Sequence, residues 1–118
     1  MIGHEAEKVI IVEGLSDKRK VEEVLDEDVT IVCTNGTLGI HRFDEMLETY
    51  HLDDNDVYIF VDEDRSGLKL RKQLAKELPH AEHIHISKDY REVASTPYKI
   101  IASLLVQKHF SVRPIYLY

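Results

Sequence analysis

Tyr58-Ile-Phe-Val-Asp-Glu-Asp-Arg-Ser-Gly67 carries an apolar, strand-like run straight into an acidic turn, and its reading decides the fold. Val57 to Val61 has no polar alternation, which is the pattern of a strand covered on both faces. Lys8-Val-Ile-Ile-Val12 repeats the pattern upstream and ends as abruptly in Glu13-Gly14-Leu-Ser-Asp17. Val29 to Cys33 and His83 to Ser87 read as two further strands, with a turn at Thr34-Asn-Gly-Thr37. Segments of helical period fall between them. Ser16 can cap a helix running to about Leu25, and a second helix carries Phe43, Met46 and Leu47. A third spans about Ser66 to Glu77 with Leu68, Leu70 and Leu74 apolar, and Thr96-Pro97 opens a last one to about His109. Strands alternating with helices predict βαβ units around a parallel sheet, an α/β fold. Residues 111 to 118 fit either an edge strand or a docked tail.

Ligands of open parallel sheets bind beyond the carboxyl ends of the strands. The first and third strands commonly flank the point where the winding reverses, which would bring Glu13 to Asp62 and Asp64 at one rim. Carboxylates so close repel, and some hold protons at neutral pH unless a cation joins them. Oxygen-only donors suit Mg²⁺ or Mn²⁺, with Ca²⁺ also possible, rather than Zn²⁺. A metal held this way points to phosphoryl transfer or phosphodiester hydrolysis. Gly14 and Gly67 stand at helix starts, where backbone can approach a phosphate and N–H groups are free to meet it. Any one of these residues alone reads more readily as a solvated strand end or a helix cap. The combination is what carries the reading.

Together, Ile10-Ile-Val-Glu-Gly-Leu-Ser-Asp17 and Tyr58 to Gly67 resemble the glutamate and aspartate motifs of the Toprim domain. That domain is shared by bacterial primases, topoisomerases, recombination-repair proteins and ribosomal-RNA-maturing ribonucleases. Thr34-Asn-Gly36 resembles the turn that often follows its second strand, and the resemblance covers about residues 8 to 87. It implies a three-layer α/β/α fold with a Rossmann-like parallel sheet of about four strands, and one domain over residues 1–118 with the last helix packed on it. By position, Glu13 would be the general acid or base or share the metal, Asp62 and Asp64 would be the metal ligands, and Asp17 an auxiliary acid. The implied activity is Mg²⁺-dependent chemistry on RNA or DNA, of nuclease or nucleotidyl-transferase type. The other reading is a non-catalytic module that binds a partner protein or a nucleic-acid structure. The accessory regions of the large Toprim enzymes find no room in 118 residues, and none of the six tyrosines lies in a recognisable strand-cleaving domain.

A net charge of −7 argues against broad electrostatic binding to a phosphate backbone. A nucleic-acid role therefore rests on a local basic patch, on metal, or on a protein partner that supplies affinity. Lys18, Arg19 and Lys20 begin the first helix, and Arg65, Lys69, Arg71 and Lys72 gather near the start of the third. These are candidate phosphate contacts, weighed against ordinary solvated helix faces. One cysteine, Cys33, cannot form an internal disulfide, and the N-terminal stretch lacks the features of a signal peptide, so the expected location is cytoplasmic. No apolar run suits a membrane span. Cys33 reads as a buried structural thiol. His80, His83 and His85 lack a completing ligand for zinc and are placed on the solvated face of an edge strand. Tyr90 and Arg91 follow the fourth strand and can reach the rim or serve only the loop. Ile100, Ile101, Leu104 and Leu105 read as core.

Overall fold

The computed structural model describes residues 5–36 and 38–118, so Thr37 of the expected turn and the first four residues lie outside the described residues. Four parallel strands form one sheet: β1 (Lys8–Val12), β2 (Thr30–Cys33), β3 (Asp56–Ile59) and β4 (Glu82–His83), in the order β2-β1-β3-β4. Four helices alternate with them: α1 (Leu15–Val24), α2 (Ile40–Thr49), α3 (Arg65–Glu77) and α4 (Tyr98–Gln107).

Strand side chains alternate between two cores because successive residues point to opposite faces. Ile10, Val12, Tyr58 and Phe60 pack with Val21, Val24, Ile101 and Leu105 of α1 and α4. Val9, Ile11, Val57, Ile59 and Val61 pack with Phe43, Met46, Leu70 and Leu74 of α2 and α3. The result is the three-layer α/β/α arrangement. It also explains why β1 and β3 read as continuous apolar runs, since neither has a wet face. β1 pairs Val9–Thr30 through Val12–Cys33 on one side and Lys8–Asp56 through Ile11–Ile59 on the other. The chain leaves β1 toward β2 over α1, then returns over α2 to β3. The winding therefore reverses between β1 and β3, and their carboxyl ends open one crevice.

Several element ends differ from the sequence reading. Gly14, not Ser16, is the N-cap of α1; Ser16 is exposed inside the helix, and Asp17 Oδ2 accepts a hydrogen bond from Gly14 N (3.1 Å). Pro97 is the N-cap of α4 rather than its first helical residue, and the helix ends at Gln107. β4 is two residues long instead of five. The reason is Arg71. Its buried guanidinium donates to Val61 O (3.3 Å) and Ile84 O (2.9 Å), carbonyls that a longer β3–β4 ladder would pair, and also to Ile59 O (3.3 Å), which still accepts from Ile84 N (2.9 Å). Ile84 and Ile86 still reach the core, as their alternation with the histidines requires. Residues after α4 form a docked tail: Arg113 N donates to Val24 O, Val112 bridges Leu25, and Pro114–Leu117 makes one 3-10 turn. Of the apolar stripe on α4, Ile101 and Leu105 are buried while Ile100 is 38% exposed.

Candidate metal centre at the strand ends

Glu13 follows β1 directly, and Asp62 and Asp64 follow β3, so parallel pairing of the two strands sets the three acids at one end of the sheet. Each offers a carboxylate oxygen, and these oxygens lie within 4.8 Å of one another. Among the described residues, this is the one group of acids, histidines or cysteine so arranged.

The three carboxylates are held in the same way. Glu13 Oε1 accepts from Asp62 N (3.0 Å), Asp62 Oδ1 from Val93 N (2.8 Å), and Asp64 Oδ1 from Gly67 N (2.8 Å). In each case one oxygen is fixed by a backbone N–H. The second oxygen, Oε2 of Glu13 or Oδ2 of either aspartate, accepts no hydrogen bond among the described residues. Carboxylates oriented by their surroundings, each with an oxygen to spare, suit a hard divalent cation. The electrostatics agree. Burial pushes the Asp62 carboxyl up to about 6 against a lowering hydrogen bond from Val93, with Glu13, Asp17 and Asp64 adding repulsion. Glu13 is likewise raised, chiefly by burial and then by Asp64 and Asp17. Asp17 is buried within α1 and raised by burial; Glu92 pushes it further up while the Gly14 N–H opposes. Bringing a cation to the rim relieves this repulsion.

The two glycines differ in kind. A Cβ on Gly67 would stand 2.0 Å from Asp62 O and 2.9 Å from Glu13 Oε1, so α3 can approach the rim only through glycine. A Cβ on Gly14 would meet only Asp17 Oδ2, at an ordinary 3.7 Å. The expected free N–H groups are not free: Gly14 N is bonded to Asp17 and Gly67 N to Asp64. Their backbone donors serve the acids rather than standing open for a phosphate.

Of the cations, Lys18 is half-buried, while Arg19, Arg65 and Lys69 are exposed within the first five residues of α1 and α3. Arg71 is not among the exposed cations. It is 7% exposed and pairs with Glu63 Oε1 (3.3 Å), beside His83 Nδ1 (3.0 Å). Sequence reading missed this role. The available signal was a cation at position 71 between Leu70 and Leu74 on the buried stripe of α3. Val93 also escaped notice, since a backbone N–H in a loop leaves no mark in sequence. Arg91 does reach the rim, through its backbone, because its carbonyl accepts from Glu63 N (2.7 Å). Cys33 is half-buried rather than buried; its thiol donates to Gly14 O (3.5 Å), and burial raises its pKa. The histidines form no metal set: His80 contacts the carbonyls of Leu52 and Asn55, and His85 contacts Glu63.

A parallel α/β sheet with three carboxylates gathered at its winding reversal defines an α/β protein with a candidate metal site. The chain belongs to the Toprim domain family, whose domain matches residues 8–89. A relative in Bacillus subtilis (strain 168), the uncharacterized protein YusF, is 50% identical over 113 residues, covering 96% of this chain and 76% of that protein. Ribonuclease M5 1 of Ligilactobacillus salivarius (strain UCC118) is 28% identical over 81 residues, which make up 69% of this chain and 42% of the ribonuclease. The solved structure of a small TOPRIM domain protein from Bacillus stearothermophilus aligns with a TM-score of 0.88 at 47% identity, over 98% of this chain and 96% of that one. No helix among the described residues is long and apolar enough to cross a membrane.

Proposed function

We propose that the protein performs Mg²⁺-dependent phosphodiester chemistry on nucleic acid, as a nuclease or nucleotidyl transferase. The observation that supports this best is the shared geometry of Glu13, Asp62 and Asp64, each tied by one oxygen to a backbone N–H with its other oxygen uncommitted. The distant similarity to a ribonuclease points the same way. When bound, Mg²⁺ or Mn²⁺ supplies charge neutralisation and polarisation at a phosphoryl oxygen. Asp62 and Asp64 are the residues to hold it. Glu13, with its proton affinity raised by burial, takes or returns the proton at the reacting oxygen. Asp17 buttresses Gly14 and the start of α1. Lys18, Arg19, Arg65 and Lys69 orient phosphate on either side. Because the chain carries a net charge of −7, this small basic set gives weak binding to long nucleic acid unless a protein partner adds affinity.

The test is cleavage of labelled single-stranded and structured RNA and DNA with Mg²⁺ or Mn²⁺, beside the Glu13→Gln and Asp62→Asn/Asp64→Asn proteins. Metal-dependent products absent from both variants support the enzyme. Metal binding without turnover by the wild type leaves a non-catalytic binding module.

A further inference from the structure

A groove of about 590 Å³ runs along the side of α1, outside the metal rim. Arg19, Lys20 and Glu23 of α1 form one wall, and Ala94, Tyr98 and Tyr116 the other. It joins the rim through two successive residues: Val93 N donates to Asp62 Oδ1 (2.8 Å), and the carbonyl of Ala94 accepts from Lys20 Nζ (2.8 Å). Tyr98 and Tyr116 stack, with ring centroids 5.4 Å apart and planes 24° from parallel. Lys20 Nζ lies 4.9 Å from the Tyr98 ring centroid, and Tyr116 is fixed by its hydroxyl on Glu23 Oε1 (2.7 Å). Tyr98 nonetheless stays 43% exposed, on a surface the core does not need.

We propose that this groove holds an unpaired nucleotide of the strand acted on at the metal rim, its base stacked on the tyrosine pair and its phosphate met by Arg19 and Lys20. The inference rests on the proposed function and adds to it the substrate class, a single strand. Aromatic rings recognise any exposed base face, and a duplex hides those faces in its own stack. Two cations beside Glu23 match one or two phosphates rather than a duplex backbone, in keeping with the net charge of −7. Docking in the anchored groove leaves the neighbouring phosphodiester to extend past Ala94 toward Asp62.

The test is fluorescence anisotropy of labelled single-stranded RNA and DNA 10-mers and of the matching duplexes, at low salt in EDTA, so that binding is read apart from turnover. The wild type should bind a single strand and prefer it to the duplex; the RNA and DNA arms show which sugar is favoured. Tyr98→Leu should weaken single-strand binding roughly tenfold or more, the loss expected for one base–aromatic stack, and Tyr98→Phe should restore most of it. Intrinsic tyrosine fluorescence should be quenched by the strand in the wild type and less so in Tyr98→Leu. Should Tyr98→Leu fold poorly, Arg19→Gln on the exposed wall should weaken binding several-fold and lower the salt slope by about 1. Equal affinity for duplex, no binding by the wild type, or undiminished binding by both Tyr98→Leu and Arg19→Gln overturns the groove. Metal-dependent turnover that survives such a result leaves the proposed function standing. Groove binding without turnover by any strand sinks the proposed function and keeps the groove.

Discussion

Replacing Gly67 with alanine sets local helix preference against tertiary packing. Gly67 is the third residue of α3, and alanine there gains up to about 1 kcal/mol of intrinsic helix propensity. Propensity alone predicts a more stable protein. The structure predicts the reverse, because the new Cβ would stand 2.0 Å from Asp62 O, 2.6 Å from Asp62 C and 2.9 Å from Glu13 Oε1. The nearest obstacle is backbone, so no rotamer change relieves it. Either the start of α3 or the end of β3 must move by on the order of 1 Å, since ordinary carbon–oxygen contacts lie near 3.3 Å or beyond. Overpacking costs about 1–3 kcal/mol, and a clash with hydrogen-bonded backbone belongs at the upper end. Net of the propensity gain, we expect a loss of about 2 kcal/mol, or roughly 8 °C in Tm. Metal affinity should fall at least tenfold, because the same displacement moves Glu13, Asp62 and Asp64 apart. Thermal melts without metal and calorimetric titration with Mn²⁺ measure both effects. Gly39→Ala, where a Cβ meets nothing within 4 Å, is the control. A Gly67→Ala protein that melts at or above the wild type and binds Mn²⁺ normally would refute the reasoning.

Further outcomes follow from the same rim. Burial pushes the Asp62 carboxyl up to about 6 in the folded protein against 3.8 as its ordinary value, so its protonation adds stability to the metal-free fold. The gain begins as pH falls through about 6 and is complete below 3.8; at pH 7.5, Asp62→Asn should therefore be more stable than the wild type by roughly 1–2 kcal/mol after allowance for partial exposure. Urea midpoints at pH 7.5 and 4.5 measure this, and an Asn variant weaker at both pH values contradicts it. Mg²⁺ at ten times its dissociation constant should stabilise the wild type by about 1.4 kcal/mol and leave Asp62→Asn/Asp64→Asn unmoved in a melt. Arg71→Met should cost about 3–5 kcal/mol by stranding Glu63, and Arg71→Lys should recover little, since the three N–H groups of an ammonium cannot serve Glu63 and the Ile59, Val61 and Ile84 carbonyls together. Denaturant midpoints of the two variants decide that point.

The parts of this fold legible in sequence are those whose cause is local. β1 and β3 announce themselves because both faces of each strand are covered; Glu13 is legible because it follows β1 directly, and Asp62 and Asp64 because they close the apolar run that ends at Val61. The end of β4 is not legible. His83 to Ser87 has the composition of a strand, but pairing stops past Ile84, where a guanidinium from α3 occupies the Val61 and Ile84 carbonyls. The same holds for the start of α1. Ser16 is the better N-cap by type, yet the helix begins earlier because Asp17, buried beneath it, binds the Gly14 N–H. Tyr98 and Tyr116 lie 18 positions apart and come together only through the tail that docks on α1.

Arg71 and the rim acids belong to one arrangement. By parting β3 from β4, Arg71 leaves residues after Ile84 free to turn back over the sheet end, where Arg91 O takes the Glu63 N–H and Val93 N reaches Asp62. Glu63 sits between two candidate metal ligands in the chain but faces away from them, onto Arg71 and His85. Asp62 and Asp64 converge on Glu13, and Glu63 does not join them. Removing Arg71 should therefore reach the metal as well as the fold. With Glu63 released and the returning loop loosened, Asp62 loses the N–H that fixes its Oδ1. A Mn²⁺ titration of Arg71→Lys, at a temperature where that protein is still folded, should show weaker binding than the wild type. Unchanged affinity would mean that β1 and β3 hold the acids without help from the loop.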